Sequence, residues 1–133
     1  MNAKLEFCGS CLEIVNFSYY PEEENSGNPY NTSFDVKVVS GLFSGYSEYW
    51  EYDHRELAGF ISQLEELAAG KINEVILQEI GVGQQIHFEG DGLGHITVRG
   101  TINSDGVHSQ SLTFEFVTDQ TVFPPFISQL KEL

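Results

Sequence analysis

The sequence predicts an α+β fold: a mainly antiparallel β-sheet of about seven or eight strands, with two amphipathic helices packed on it, the second at the C-terminus. Three features point there. Apolar and polar residues alternate with period two along much of the chain. Two apolar stripes with helical spacing lie at about 53–69 and 123–133, and glycine-containing turns punctuate the alternating runs. With 133 residues, including one Trp, six Tyr and ten Phe, the chain can bury one core, so residues 1–133 read as a single domain.

Leu5 to Cys8 and Cys11 to Tyr20 read as a hairpin turning at Gly9-Ser10. The alternation slips near Val15-Asn16, the mark of a bulge. Pro21 to Thr32 is rich in turn formers and carries Glu22-Glu23-Glu24, which reads as a solvated loop because clustered like charges repel and stay wet. Ser33 to Val38 alternates, with Phe34, Val36 and Val38 on one face. Leu42 to Tyr52 reads as an aromatic strand. Asp53, with Glu56 three positions on, resembles a capping box; Leu57, Phe60, Ile61, Leu64 and Leu67 form the stripe of the helix it opens, and Gly70 ends that helix. Ile72 to Ile80 fits either period. Ile and Val crowd a helical turn and suit a pleated surface, so a strand is favoured.

The firmest expectation is three consecutive antiparallel strands over 84–118. Ile86 and Phe88 point inward, as do Ile96, Val98 and Ile102, then Leu112, Phe114 and Phe116. Glu89-Gly90-Asp91-Gly92 and Ser104-Asp105-Gly106 supply the turns. The last helix starts near Pro124, where a missing N–H costs nothing, and its stripe is Phe126, Ile127, Leu130 and Leu133. The two helices echo each other: residues 60–67 and 126–133 match at seven of eight positions with an offset of 66, which also aligns Asp53 with Asp119 and Trp50 with Phe116. Duplication and convergence on a good amphipathic helix both account for this.

Charge bounds the partners. Twenty acids against six bases give −14, which argues against nucleic acid. The apolar runs fall short of the ~20 residues a membrane span needs. Met1 to Glu6 has no basic segment followed by an apolar one, so no secretory signal is expected, and two cysteines make no disulfide framework. The expected location is cytoplasmic.

No catalytic constellation, metal-ligand set or cofactor motif emerges. Cys8-Gly9-Ser10-Cys11 lacks both the helix that activates a redox thiol and a second cysteine pair to complete a zinc site. Gly81-Val82-Gly83 and Gly90 to Gly94 do not join a strand to a helix, so they read as turns rather than phosphate loops. His54 and His108 read as surface residues. His87 and His95, with Arg99 and Glu115, point outward from the same strands and form an alternative ligand-binding or proton-transfer face, though no nucleophile accompanies them. In Tyr46 to Tyr52 aromatics and acids interleave. A regular strand cannot bury Tyr46, Tyr49, Trp50 and Tyr52 on one face, so some aromatic surface beside Glu48 and Glu51 is expected to be exposed, as protein interfaces use it.

The pattern Trp50-x-x-Asp53-x-x-Glu56-Leu57-x-x-Phe60-x-x-Gln63-Leu64, then Gly94-His95-Ile96-x-Val98, then Phe114-x-Phe116-x-x-Asp119-Gln120-Thr121 followed by Pro124 and Pro125, resembles the WapI-type immunity proteins of cell-wall-associated polymorphic toxins and their uncharacterised bacterial relatives. The resemblance covers roughly 33–133. Val122-Phe123 departs from the Tyr-Leu that the pattern leads one to expect. It implies a non-enzymatic antitoxin binding a cognate toxin, often a nuclease domain with a basic active site. Charge and aromatic content then single out Glu22, Glu23, Glu24, Glu48, Tyr49 and Glu51 for contact with a basic protein partner. A small-ligand binder or minor enzyme using the His87, His95, Arg99 and Glu115 face is the alternative. A structural protein dimerising through a helix stripe is the third reading, so monomer and homodimer both stay open.

Overall fold

The structure is a computed structural model that describes residues 2–133. Eight strands form two separate four-stranded antiparallel sheets, each in simple sequential order. The first sheet comprises β1 (Ala3–Phe7), β2 (Ser10–Tyr19), β3 (Thr32–Ser40) and β4 (Phe43–Tyr52), with a short helix α1 (Pro21–Asn25) between β2 and β3. A 3₁₀ turn (His54–Glu56) leads into α2 (Leu57–Ala68). The second sheet comprises β5 (Glu74–Gln78), β6 (Gln85–Gly90), β7 (His95–Asp105) and β8 (Ser109–Asp119), and a second 3₁₀ turn (Gln120–Val122) leads into α3 (Phe123–Leu130).

The two halves therefore share one order of elements: four strands, an aspartate, a 3₁₀ turn and a helix. Asp53 accepts from the Arg55 N–H and Asp119 from the Thr121 N–H, so each carboxylate satisfies a donor left over at a helical start. The capping-box expectation holds only on the Asp53 side. Among the described residues Glu56 does not reach back, and the second partner of the Asp53 carboxylate is instead the amide of Asn31. Each helix opens one residue after its 3₁₀ turn, at Leu57 and Phe123, later than the capping aspartates that mark the start of the motif in sequence.

One hydrophobic core runs through both sheets and both long helices. β8 crosses the first sheet, touching β1, β3 and β4, and β4 also lies against β7. α2 packs on β5, α3 on β1, and the helices pack on each other. Trp50 is fully buried, and its indole N–H donates to the Ser47 hydroxyl at 2.8 Å, which in turn donates to the Asn103 carbonyl of β7. This polar bridge satisfies the indole where the sheets meet.

Three local expectations shift. The first hairpin turns at Cys8-Gly9 rather than Gly9-Ser10: Phe7 pairs with Ser10, and both turn residues have positive φ, 50° and 83°, as a two-residue turn of this hand requires. Cys8 is exposed and only Cys11 is buried. The acidic run is not a loop but α1, nucleated by Pro21 in its first turn. His54 is also no plain surface residue. Its ring stacks on Tyr19 at 3.9 Å between centroids, and its Nδ1 lies 3.2 Å from the Glu24 carboxylate.

Candidate functional site

The site begins with a break in the first sheet. Opposite Asp35 in β3, both neighbouring strands lose register: β2 between Val15 and Ser18, and β4 where Ser47 and Trp50 flank the irregularity. Each bulge contains a non-glycine residue in the left-handed region, Asn16 at φ 55° and Tyr49 at φ 60°. Such conformations cost of order 1–3 kcal/mol and persist only when the surroundings over-determine them. Here Asp35 does so. Its carboxylate accepts from Tyr46 Oη at 2.7 Å, Asn16 Nδ2 at 2.8 Å and the Tyr49 N–H at 2.9 Å. Burial pushes the Asp35 carboxyl up, but these donors outweigh it and hold it below the ordinary value. The same bond pushes the Tyr46 hydroxyl up to about 12. The bulge turns the Tyr49 ring outward, 66% exposed, while Trp50 and Tyr52 stay in the core.

The second component is the loop after β5. Glu79 is 2% exposed, yet its carboxylate is fully engaged. It accepts from the backbone N–H groups of Gly81 and Val82, both at 2.8 Å, and of Gln84 at 3.1 Å. The acid is thus the hub on which the glycine-rich turn is wound. Gly81 is required there: an added Cβ would lie 2.8 Å from Glu79 Oε2 and 3.0 Å from Glu51 Oε1. The Ile80 N–H donates to the Glu51 carbonyl at 2.9 Å, stitching this loop to β4.

Between the bulged β4, the 79–84 loop and the β7–β8 turn lies a concavity of about 380 Å³. Glu48, Tyr49, Glu51, Glu79 and Asp105 line it, and among the described residues no base does. Three solvent-reaching acids, Glu48, Glu51 and Asp105, share it with an exposed aromatic ring, over the buried Glu79. Such a surface attracts cations and offers an apolar platform beside them.

Of the residues singled out from sequence for partner contact, Glu48, Tyr49 and Glu51 come together here. Glu22, Glu23 and Glu24 sit on α1, outside the concavity's lining; the segment that follows α1 reaches the 79–84 loop, where Tyr30 Oη donates to the Ile80 carbonyl. They are not equivalent. Glu24 is turned inward, accepting from Tyr19 Oη at 3.0 Å, while Glu22 and Glu23 face solvent.

The alternative face does not assemble as expected. His87 pairs across the ladder with Arg99, and Arg99 with Glu115, so these three form a row on the outer face of the second sheet. His95 lies four residues before Arg99, roughly 13 Å along the strand. Its Nδ1 is 2.8 Å from Asp91 in the preceding turn, so the two histidines do not meet. Arg99 bonds Glu89 rather than Glu115. His87 and Arg99 line one open depression, Arg99 and Glu115 a second, and His95 a third, so no single pocket holds all four.

Sequence reasoning missed Asp35 and Glu79. Asp35 has the look of any outward residue in an alternating strand, and its flag was the phase slip at Val15-Asn16 on the neighbouring strand. The signal for Glu79 was an acid two residues before a Gly-Val-Gly turn, within reach of the turn's N–H groups.

No curated protein matches the chain. A family model, that of the WapI-like immunity proteins, matches residues 9–133, leaving only β1 and Cys8 among the described residues ahead of Gly9 outside the match, with Asn2. The matched span takes in α1, the bulged strands and the acidic concavity, and since it covers nearly the whole sequence, this chain belongs to the immunity protein WapI-like family.

Proposed function

We propose that this protein is a non-enzymatic antitoxin of the cytoplasm that neutralises a cognate toxin by stoichiometric binding, and that it does so through the acidic concavity around Tyr49. Membership of the immunity family supports the toxin as partner. The observation that carries the choice of surface is that Glu48, Glu51 and Asp105 share one concavity with the Tyr49 ring, which a strained bulge turns outward. A rigid aromatic anchor ringed by like charges fits a basic protein surface, such as the active site of a nuclease domain. Lys or Arg side chains of the toxin enter the concavity and stack on Tyr49, while Glu22 and Glu23 of α1 extend the field and speed encounter.

The test is co-expression with the C-terminal domain of the toxin encoded beside it. Restored growth and a purified complex of equal stoichiometry are the expected result. Absence of a complex at micromolar concentrations removes the reading, and turnover of a metabolite abolished by His87→Gln replaces it with the enzymatic alternative.

A further inference from the structure

We propose that Glu74, His87 and Glu89 form a binding site for a divalent transition-metal ion of the zinc class on the outer face of the second sheet. The register brings them together: Glu74 and Glu89 are directly opposed on β5 and β6, and His87 is the next residue of β6 on that face. One ligand atom from each lies within 4.8 Å of the other two. No motif shows this in the sequence, because the ligands come from two strands joined by a loop.

The imidazole is oriented for the task. His87 Nε2 lies 3.0 Å from Gln85 Oε1. With an amide oxygen facing it, Nε2 carries the proton and Nδ1 presents its lone pair. Nδ1 is buried and has no hydrogen-bond partner, and the Glu74 carboxylate stands 3.8 Å away, beyond bonding distance. A lone pair with no donor of its own thus lies among two carboxylates, an arrangement that a cation completes. The donor set selects the ion. One imidazole nitrogen and two carboxylate oxygens suit Zn²⁺, whereas Mg²⁺ and Ca²⁺ prefer oxygen alone.

Tetrahedral zinc at about 2.0–2.2 Å from its ligands holds them about 3.3–3.6 Å apart. Rotation of Glu74, half-exposed at a sheet edge, closes that gap. Arg99 bonds one oxygen of Glu89, so the other is free for a metal. Its charge opposes the ion's, so the site is exchangeable, with a fourth position open to water. This inference does not rest on the toxin-binding reading.

The test is isothermal titration of untagged, full-length protein with ZnCl₂, compared with Mg²⁺. Saturable uptake of one Zn²⁺ per chain is expected, weakened at least about tenfold in His87→Gln and in Glu74→Gln and unchanged in His95→Gln and Cys8→Ser. Glu74 and His87 lie outside the core, and a urea melt confirms that each variant folds. No saturable uptake, uptake that survives His87→Gln, or uptake lost in His95→Gln or Cys8→Ser overturns the assignment. Ordinary imidazolium pairing with Glu74, without a metal, gives the first of these results.

Discussion

Asp35→Ala removes a side chain that bonds to both bulges of the first sheet. It deletes three hydrogen bonds to a carboxylate, of 2.7, 2.8 and 2.9 Å. Bonds to charged groups contribute about 1.5–3 kcal/mol each when shielded, and partial exposure lowers that to about 1 kcal/mol each. The expected loss is therefore about 3 kcal/mol, or about 10 °C in Tm for a domain of this length. Urea unfolding followed by the fluorescence of Trp50, the one tryptophan and fully buried, measures it directly. Because the folded Asp35 carboxyl lies below its ordinary value, its contribution is present above about pH 4 and is lost as pH falls through the folded pKa. Asp35→Ala accordingly flattens the acid limb of the stability profile. Glycine tolerates positive φ, so adding Asn16→Gly restores about 1 kcal/mol in the Asp35→Ala background. A loss under about 1 kcal/mol, with no rescue by Asn16→Gly, refutes the claim that Asp35 holds the bulges.

Other expectations follow from the same contacts. Glu79→Ala removes the buried carboxylate that accepts from three backbone N–H groups of the 81–84 turn and costs about 2 kcal/mol by urea melt, whereas the exposed Glu115→Ala stays within about 0.5 kcal/mol. Gly81→Ala forces two carboxylates apart and disturbs the concavity, read as weaker toxin binding with a lower melting midpoint. Tyr46 and Tyr52 both have hydroxyls pushed up to about 12, Tyr46 by its bond to Asp35 and Tyr52 by burial. Their contribution is complete below about pH 10 and disappears as pH rises towards their folded values, so ultraviolet titration should show two late tyrosines coinciding with alkaline unfolding.

Much of the architecture was legible because it is local. The β6–β8 meander, the aspartate caps and the stripes of α2 and α3 each follow from spacing within a few residues. That eight strands divide into two sheets was not legible: alternation says which face is buried but not against what. β8 crossing the first sheet is a long-range fact with no local trace. The site was half legible. The interleaved aromatics and acids of β4 announced exposed aromatic surface, and Tyr49, with Tyr46, supplies it. Its direction depends on Asp35 across the ladder, and the floor of the concavity on Glu79, which looked like one polar residue at the edge of an apolar run. The histidines misled because outward phase fixes a face and not a distance along it.

Association kinetics with the cognate toxin domain test the central claim most directly. At low salt, Glu48→Gln/Glu51→Gln/Asp105→Asn should bind at least about tenfold more slowly than the wild type, with the difference closing at high salt, and Tyr49→Ala should dissociate faster at both. Identical rates for all of them at low salt would place the contact surface elsewhere on the molecule.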